Sequence, residues 1–156
     1  GFQVGLLSAR LDIVGRDGTS LEHHWGPDNP KAHLGINVAG FPNLFCTQGP
    51  NTGLGHGGSA IFQSECQAKF IGACLARMNA NNISSIDIKQ DAQDQYVARV
   101  DAEHEKMIWT HPGMSTYYRN EAGRVVSVMP WRLVDYWKMT STPNFDDFRQ
   151  TVSSLD

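Results

Sequence analysis

Apolar residues along this chain recur with two different periods, and the changes of period fall at glycine, proline and asparagine. Residues 58–78 carry Ile61, Ala68, Ile71, Leu75 and Met78 at three-, four- and seven-residue spacings, which predicts a helix turning that stripe toward a core. Glu65 and Lys69 form an i,i+4 pair on its other side, and Asn79-Ala-Asn-Asn82 ends it. A second helix is predicted over 91–107, with Tyr96, Val100 and Met107 inward and the charges from Asp101 to Lys106 on a solvated face. Short apolar or alternating runs predict strands at 33–38, 44–46, 83–88 and 123–129, with Pro42 fixing the start of the second. Residues 9–21 read as a hairpin turning at Arg16-Asp17-Gly18. Residues 22–31, with Pro27 and Pro30, read as surface loop anchored by Trp25. Residues 109–120 hold too many turn formers for regular structure, yet are rich in aromatics. One or two helical turns are expected over 130–137. A last short helix is expected from Thr142-Pro143, carrying Phe145 and Phe148, with proline at its first position.

The order strand, glycine loop, helix start is concentrated in residues 43–59. Five glycines lie between Gly49 and Gly58, and Ser59 stands where a helix begins. First-turn N–H groups have no partner inside a helix, and the dipole adds positive charge there. Glycine lets a ligand come close to backbone. The stretch therefore suits an anion or an electron-rich ring edge, with a purely structural loop as the alternative. Gly53-x-Gly55-x-x-Gly58 has the spacing of a dinucleotide fingerprint, but Gly-Pro-Asn-Thr separates it from the strand. No acid lies between Glu65 and Asp87 to meet a ribose. Arg119, Arg124 and Arg132 stand among tyrosines and tryptophans, a pattern suited to a phosphate-bearing or stacked ligand, though scattered surface arginines look the same.

Composition narrows this only a little. The 156 residues suffice for one modest domain with a core, and 40% hydrophobic against 19% charged residues is a globular balance. A net charge of −3 without a basic run speaks against nucleic acid or an anionic membrane as main partner. No apolar run is long enough to span a bilayer. Cys46, Cys66 and Cys74 include no CxxC and fit a reducing cytoplasm. The six histidines show no metal-ligand spacing. Ser59 has His56 nearby but no acid to orient it, so no hydrolase triad is read. The residues alone thus give an α/β-type domain with a glycine loop facing a ligand.

Two long stretches carry a resemblance. His33-Leu-Gly-Ile-Asn-Val-Ala-Gly-Phe-Pro-Asn-Leu-Phe45 with Gly49-Pro-Asn-Thr-Gly-Leu-Gly-His-Gly-Gly-Ser59 resembles the C-terminal part of class B flavoprotein monooxygenases of the Baeyer–Villiger type, in the branch of 4-hydroxyacetophenone monooxygenase. Tyr117-Tyr-Arg-Asn-Glu-Ala-Gly-Arg-Val-Val126 with Met129-Pro-Trp-Arg-Leu-Val-Asp-Tyr-Trp137 is similar to the tail of the same branch. The resemblance covers nearly the whole chain. Gly1-Phe2 resembles the end of the Ala-Thr-Gly-Phe segment, where such enzymes return from the NADP domain to the FAD domain.

The resemblance implies the C-terminal portion of a two-dinucleotide-binding-domain (FAD/NADP) α/β fold, with 1–80 the end of the FAD-binding domain. Residues 81–156 would then be a helical and loop region covering cofactor and substrate. It implies FAD and NADP as cofactors. Gly57, Gly58, Ser59 and Ala60 would face the flavin pyrimidine edge and stabilise negative charge at N1/O2. Asn51 and Thr52 would lie beside the isoalloxazine, and Leu54 near the substrate pocket. Met114 and Tyr117 would sit on the mobile segment that closes over NADP and substrate. The family commonly has tryptophan at the Tyr117 position; tyrosine keeps a donor and an aromatic face but is smaller. The implied reaction is NADPH- and oxygen-dependent oxidation of a ketone to an ester, or oxygenation of a soft heteroatom. Both nucleotide fingerprints, the signature histidine and the active-site arginine would lie upstream, so this chain would carry no catalytic residue and be inactive alone. Its expected partners are a ketone or heteroatom substrate, oxygen, and either the N-terminal remainder or a second copy. The alternative is a non-catalytic remnant or a small-ligand module built on the glycine loop.

Overall fold

The computed structural model describes residues 12–55 and 57–153. Its elements are α1 (Leu21–Trp25), α2 (Ala60–Ala80), β1 (Ile83–Ile88), α3 (Gln90–His104), a 3-10 turn at Ile108–Thr110, α4 (Leu133–Thr140), a second 3-10 turn at Phe145–Asp147 and β2 (Phe148–Val152). β1 and β2 pair antiparallel, with Ile88 opposite Phe148, Ile86 opposite Gln150 and an irregularity between Ile83 and Ser85. The result is mixed α/β. The largest core cluster joins Leu34, Ile36, Phe70, Ile86, Val100 and Phe148, so it draws on both sides of residue 80.

α2 forms from the capping serine onward: Ser59 Oγ accepts from Phe62 N at 3.2 Å. It ends where Asn82 takes φ 52°, a backbone region asparagine tolerates better than most residues. The buried face of α2 is not the expected apolar stripe. Gln63, Cys66, Gln67, Phe70 and Cys74 point inward. Ile61 is 75% exposed and Leu75 52% exposed, Ala68 is also exposed, and Ile71 and Met78 lie at the edge of the core. Two glutamines with interior partners rotate the helix away from its most hydrophobic side.

Residues 33–38 are buried but do not form a strand. Leu34 and Gly35 take φ 54° and 67°, and His33 and Asn37 close the turn, with His33 N donating to Asn37 O at 2.7 Å. Gly35 is required there, because a Cβ would fall 2.1 Å from Thr52 Cγ2. Residues 44–46 follow Asn43 at φ 60° and run as irregular chain, tied by Cys46 N to Ile36 O at 2.8 Å. Residues 123–129 form only isolated bridges, Arg119 with Val125 and Gly53 with Val128. In all three, apolar runs are packed within loops rather than in a ladder, 44–46 only half-buried.

Among the described residues the hairpin shows one bridge, Val14 with Ser20, closed by Gly15 N to Thr19 O at 2.8 Å; residues 9–11 lie outside the described residues. Where loop was expected at 22–31, Ser20 caps α1 through His23 N at 3.2 Å. The buried Trp25 indole donates to Lys31 O at 2.9 Å. The last helix is only the 3-10 turn, capped by Asn144, and Phe148 opens β2 instead. Met107 lies beyond α3, half-buried against Trp109.

Candidate functional site

The glycine loop separates into two parts. Gly49, Gly53 and Gly55 serve the chain's own packing. Added Cβ atoms would meet Gly35 O at 2.3 Å, Ser127 O at 2.9 Å and the Trp109 ring at 3.1 Å. Gly58 combines φ 122° with Leu133 Cδ1 at 2.5 Å from an added Cβ. Gly57, at φ 91°, is different, since a Cβ there would have nothing within 4 Å. Residues 57–60 are all exposed. Ser59 takes up the Phe62 N–H, and no described residue reaches the N–H groups of Ala60 and Ile61. The start of α2 is therefore an uncovered helix N-terminus carrying about half a positive charge.

The loop ahead of it is clamped. Gln48 N donates to Gln67 Oε1 at 3.0 Å, and Gln48 Nε2 donates to Ser64 Oγ at 2.9 Å and to Ala60 O at 3.2 Å. Asn51, at φ 56°, turns its side chain inward: Nδ2 donates to Val125 O at 2.8 Å and Val128 O at 3.3 Å. Thr52 Oγ1 donates to Gly49 O at 2.6 Å. Both side chains are buried and hold the loop's shape by donating to backbone carbonyls that no regular ladder takes up. Leu54 is half-buried beside Leu133, next to Gly58.

Met114 and Tyr117 lie in the irregular segment, Tyr117 60% exposed. Tyr117 packs edge-on to Tyr118 at 4.6 Å, Tyr118 on Trp109 at 5.9 Å, and Trp109 lies against Gly55. An aromatic path thus joins Tyr117 to the glycine loop. Met114 is joined to the segment through its carbonyl, which accepts from Arg119 Nη2.

Three hydrogen-bonded groups that support this region were not read from the sequence. His104 is 2% exposed; its Nδ1 accepts from Trp109 Nε1 at 2.9 Å, which makes Nε2–H the donor to Val128 O at 3.1 Å. Burial pushes its pKa down to about 4. The signal was present, because Tyr96, Val100 and His104 share one i,i+4 line, but the flanking charges masked it. Asp101 keeps the solvated position expected of it, its side chain 41% exposed, and from there accepts from Arg124 Nε at 3.0 and 3.1 Å. Arg124 also donates to Asn29 Oδ1 at 3.3 Å, Pro30 O at 3.2 Å and Asn51 Oδ1 at 3.2 Å. Its guanidinium is used internally rather than offered to a ligand, and Arg132 pairs with Asp135 at 2.8 Å. Gln67 and Tyr136 form the third group, linking α2 to α4.

The comparisons with known proteins bear on this region. The chain is 42% identical over 156 residues to the uncharacterized monooxygenase y4iD of Sinorhizobium fredii, covering all of this chain and 23% of that protein. It is 33% identical over 136 residues to a Baeyer–Villiger monooxygenase of Pseudomonas aeruginosa, covering 85% of this chain and 25% of that one. Its fold is similar to OTEMO solved in complex with FAD and NADP, with TM-score 0.74 and 20% identity over 92% of this chain and 26% of the other. No protein-family model matches. The chain spans about a quarter of the length of the curated relatives it matches. It is homologous to that part of class B flavin (Baeyer–Villiger) monooxygenases, and its α/β architecture matches about a quarter of their two-dinucleotide-domain fold. No described helix is long and apolar enough to cross a membrane.

Proposed function

We propose that this chain supplies the flavin-edge and covering portion of an FAD- and NADPH-dependent monooxygenase, acting with oxygen on a ketone or a heteroatom-bearing small molecule, in the 4-hydroxyacetophenone branch of the family. The observation that carries this reading is the uncovered start of α2: an exposed, capped helix N-terminus with open space at Gly57 and unpartnered N–H groups at Ala60 and Ile61. Such a site fits a ring edge that gains negative charge on reduction. FAD, when bound, would supply the electrons and the oxygen-transferring chemistry.

Gly57, Gly58, Ser59 and Ala60 offer preorganised N–H dipoles that need no rearrangement when charge develops. Asn51 and Thr52 fix the loop that presents them. Leu54 with Leu133 gives an apolar wall for substrate. The Met114–Tyr117 segment, tethered through Tyr118 and Trp109 to Gly55, excludes water and meets nicotinamide cofactor or substrate. None of these residues is placed as an acid, base or nucleophile, so turnover requires the remainder of an enzyme. The outward stripe of Ile61, Ala68 and Leu75 on α2 is the surface on which that remainder docks. Residues 1–80 then close the FAD domain and 81–156 cover the cofactor and substrate.

The test replaces the matching segment of the Pseudomonas aeruginosa Baeyer–Villiger monooxygenase with this chain. The folded chimera is expected to oxidise NADPH with oxygen uptake coupled to a ketone, while the enzyme lacking the segment does neither. A folded chimera that holds flavin yet never couples NADPH oxidation to oxygenation of a ketone or a heteroatom substrate would overturn the proposal.

A further inference from the structure

Away from the α2 start, a half-open cavity of about 240 Å³ lies between α2, α3, α4 and the second 3-10 turn. At roughly 30 Å³ per water it holds the volume of about eight waters, the size of a small metabolite. Leu34, Phe70 and Met139 give it apolar wall. Arg99 and Asp147 bring opposite charges to it. Among the described residues neither forms an ion pair, and the Asp147 carboxylate has no hydrogen-bond partner. Arg99 is held in place from behind, its guanidinium 5.7 Å over the Trp131 ring and Nη2 3.8 Å from Met139 Sδ, which leaves most of its donors free. The same wall contains His33 and Tyr96, whose Nδ1 and hydroxyl are buried without a partner among the described residues. Buried polar atoms in native structures are almost always satisfied, so these two leave hydrogen-bonding positions beside the cavity that water or a ligand can take up.

We infer that this cavity is a binding site for a small zwitterion, a free α-amino acid with an apolar side chain. Its carboxylate meets Arg99, its ammonium meets Asp147, and its side chain lies on Leu34, Phe70 and Met139. A simple anion would be opposed by Asp147 and a simple cation by Arg99. Only a molecule carrying both charges, with apolar surface between or beside them, answers Arg99, Asp147 and the apolar wall together. The half-open position makes each charge contact weak, so millimolar affinity is expected.

The test is an NMR titration of the chain carrying Ile61→Lys and Leu75→Lys, which removes the outward α2 stripe and leaves the cavity wall intact, with L-leucine, L-leucinamide and N-acetyl-L-leucine, which present both charges, the cation alone and the anion alone. Leucine is expected to shift the resonances of Arg99, Asp147, Tyr96 and His33, and each single-charge analogue to bind about fivefold more weakly. Arg99→Gln should weaken leucine but not leucinamide, and Asp147→Asn should weaken leucine but not N-acetyl-leucine. Arg99 is exposed and Asp147 only half-buried, so both variants keep the fold, which far-UV circular dichroism checks. No shift with leucine at its solubility limit would overturn the inference, as would N-acetyl-leucine or leucinamide binding as tightly as leucine. Flavin binding by the chimera plays no part in this readout, so the two proposals fail separately.

Discussion

Gln67 donates through Nε2 to the phenolic oxygen of Tyr136 at 3.0 Å, with both side chains fully buried. The Tyr136 hydroxyl then donates to Leu34 O at 2.7 Å, while Gln67 Oε1 accepts from Gln48 N at 3.0 Å. One hydrogen-bonded line thus joins the turn at 33–38, α4, α2 and the start of the glycine loop. Tyr136→Phe leaves the Gln67 amide and the Leu34 carbonyl buried without this partner. An orphaned buried group costs about 1–3 kcal/mol, and urea unfolding of the variant should show a loss in that range. An unchanged midpoint would mean the line does not hold the loop.

Arg124 is the counterpart on the other side of the loop, reaching Asp101, Asn29, Pro30 and Asn51 together. A lysine cannot reproduce that fork. Arg124→Lys should cost about 1–3 kcal/mol in urea unfolding, whereas Arg132→Lys, at an exposed pair, should change it by less than about 1 kcal/mol.

His104 gives the fold an acid sensitivity. Its folded pKa of about 4 lies below the ordinary 6.5 of an unfolded histidine. As pH falls, the unfolded state takes up the proton first. The histidine's contribution is therefore complete above pH 6.5 and is lost progressively down to pH 4. The shift corresponds to a loss on the order of 3 kcal/mol. Urea midpoints measured across that window should fall with acid in the native chain, and with a visibly shallower slope in His104→Gln. Equal slopes would show that His104 does not set the acid sensitivity.

The rotated face of α2 has its own consequence. Ile61 and Leu75 contribute little to the interior, so Ile61→Lys with Leu75→Lys should leave the urea midpoint nearly unchanged. The native chain studied alone should self-associate in sedimentation velocity, and the double variant should run as a monomer. A native chain that is already monomeric would show that the stripe is not a docking face.

What was legible in the sequence follows the range of the interactions involved. α2, α3 and β1 were read close to their bounds, because periodicity, Ser59 and the asparagines after the helix act within a few residues. The inward side of α2 was misread because Gln63 and Gln67 look like surface residues until Tyr136 and Met129, more than sixty positions away, are seen to receive them. The runs at 33–38 and 123–129 read as strands because burial is legible and ladder partners are not. The glycine loop was located from composition alone. That Gly49, Gly53 and Gly55 admit the chain's own atoms while Gly57 faces open space depends on contacts with Gly35, Ser127 and Trp109, which no local pattern encodes.

Whether the start of α2 faces the flavin is read from the flavin midpoint potential of the chimera with and without Ser59→Asp. Aspartate caps a helix as well as serine, so α2 keeps its start while gaining a negative charge there. Bound flavin should be retained with a potential lower by roughly 20 mV, the equivalent of about 1 kcal/mol for two electrons. Retained flavin with an unchanged or raised potential would place the helix start away from the ring.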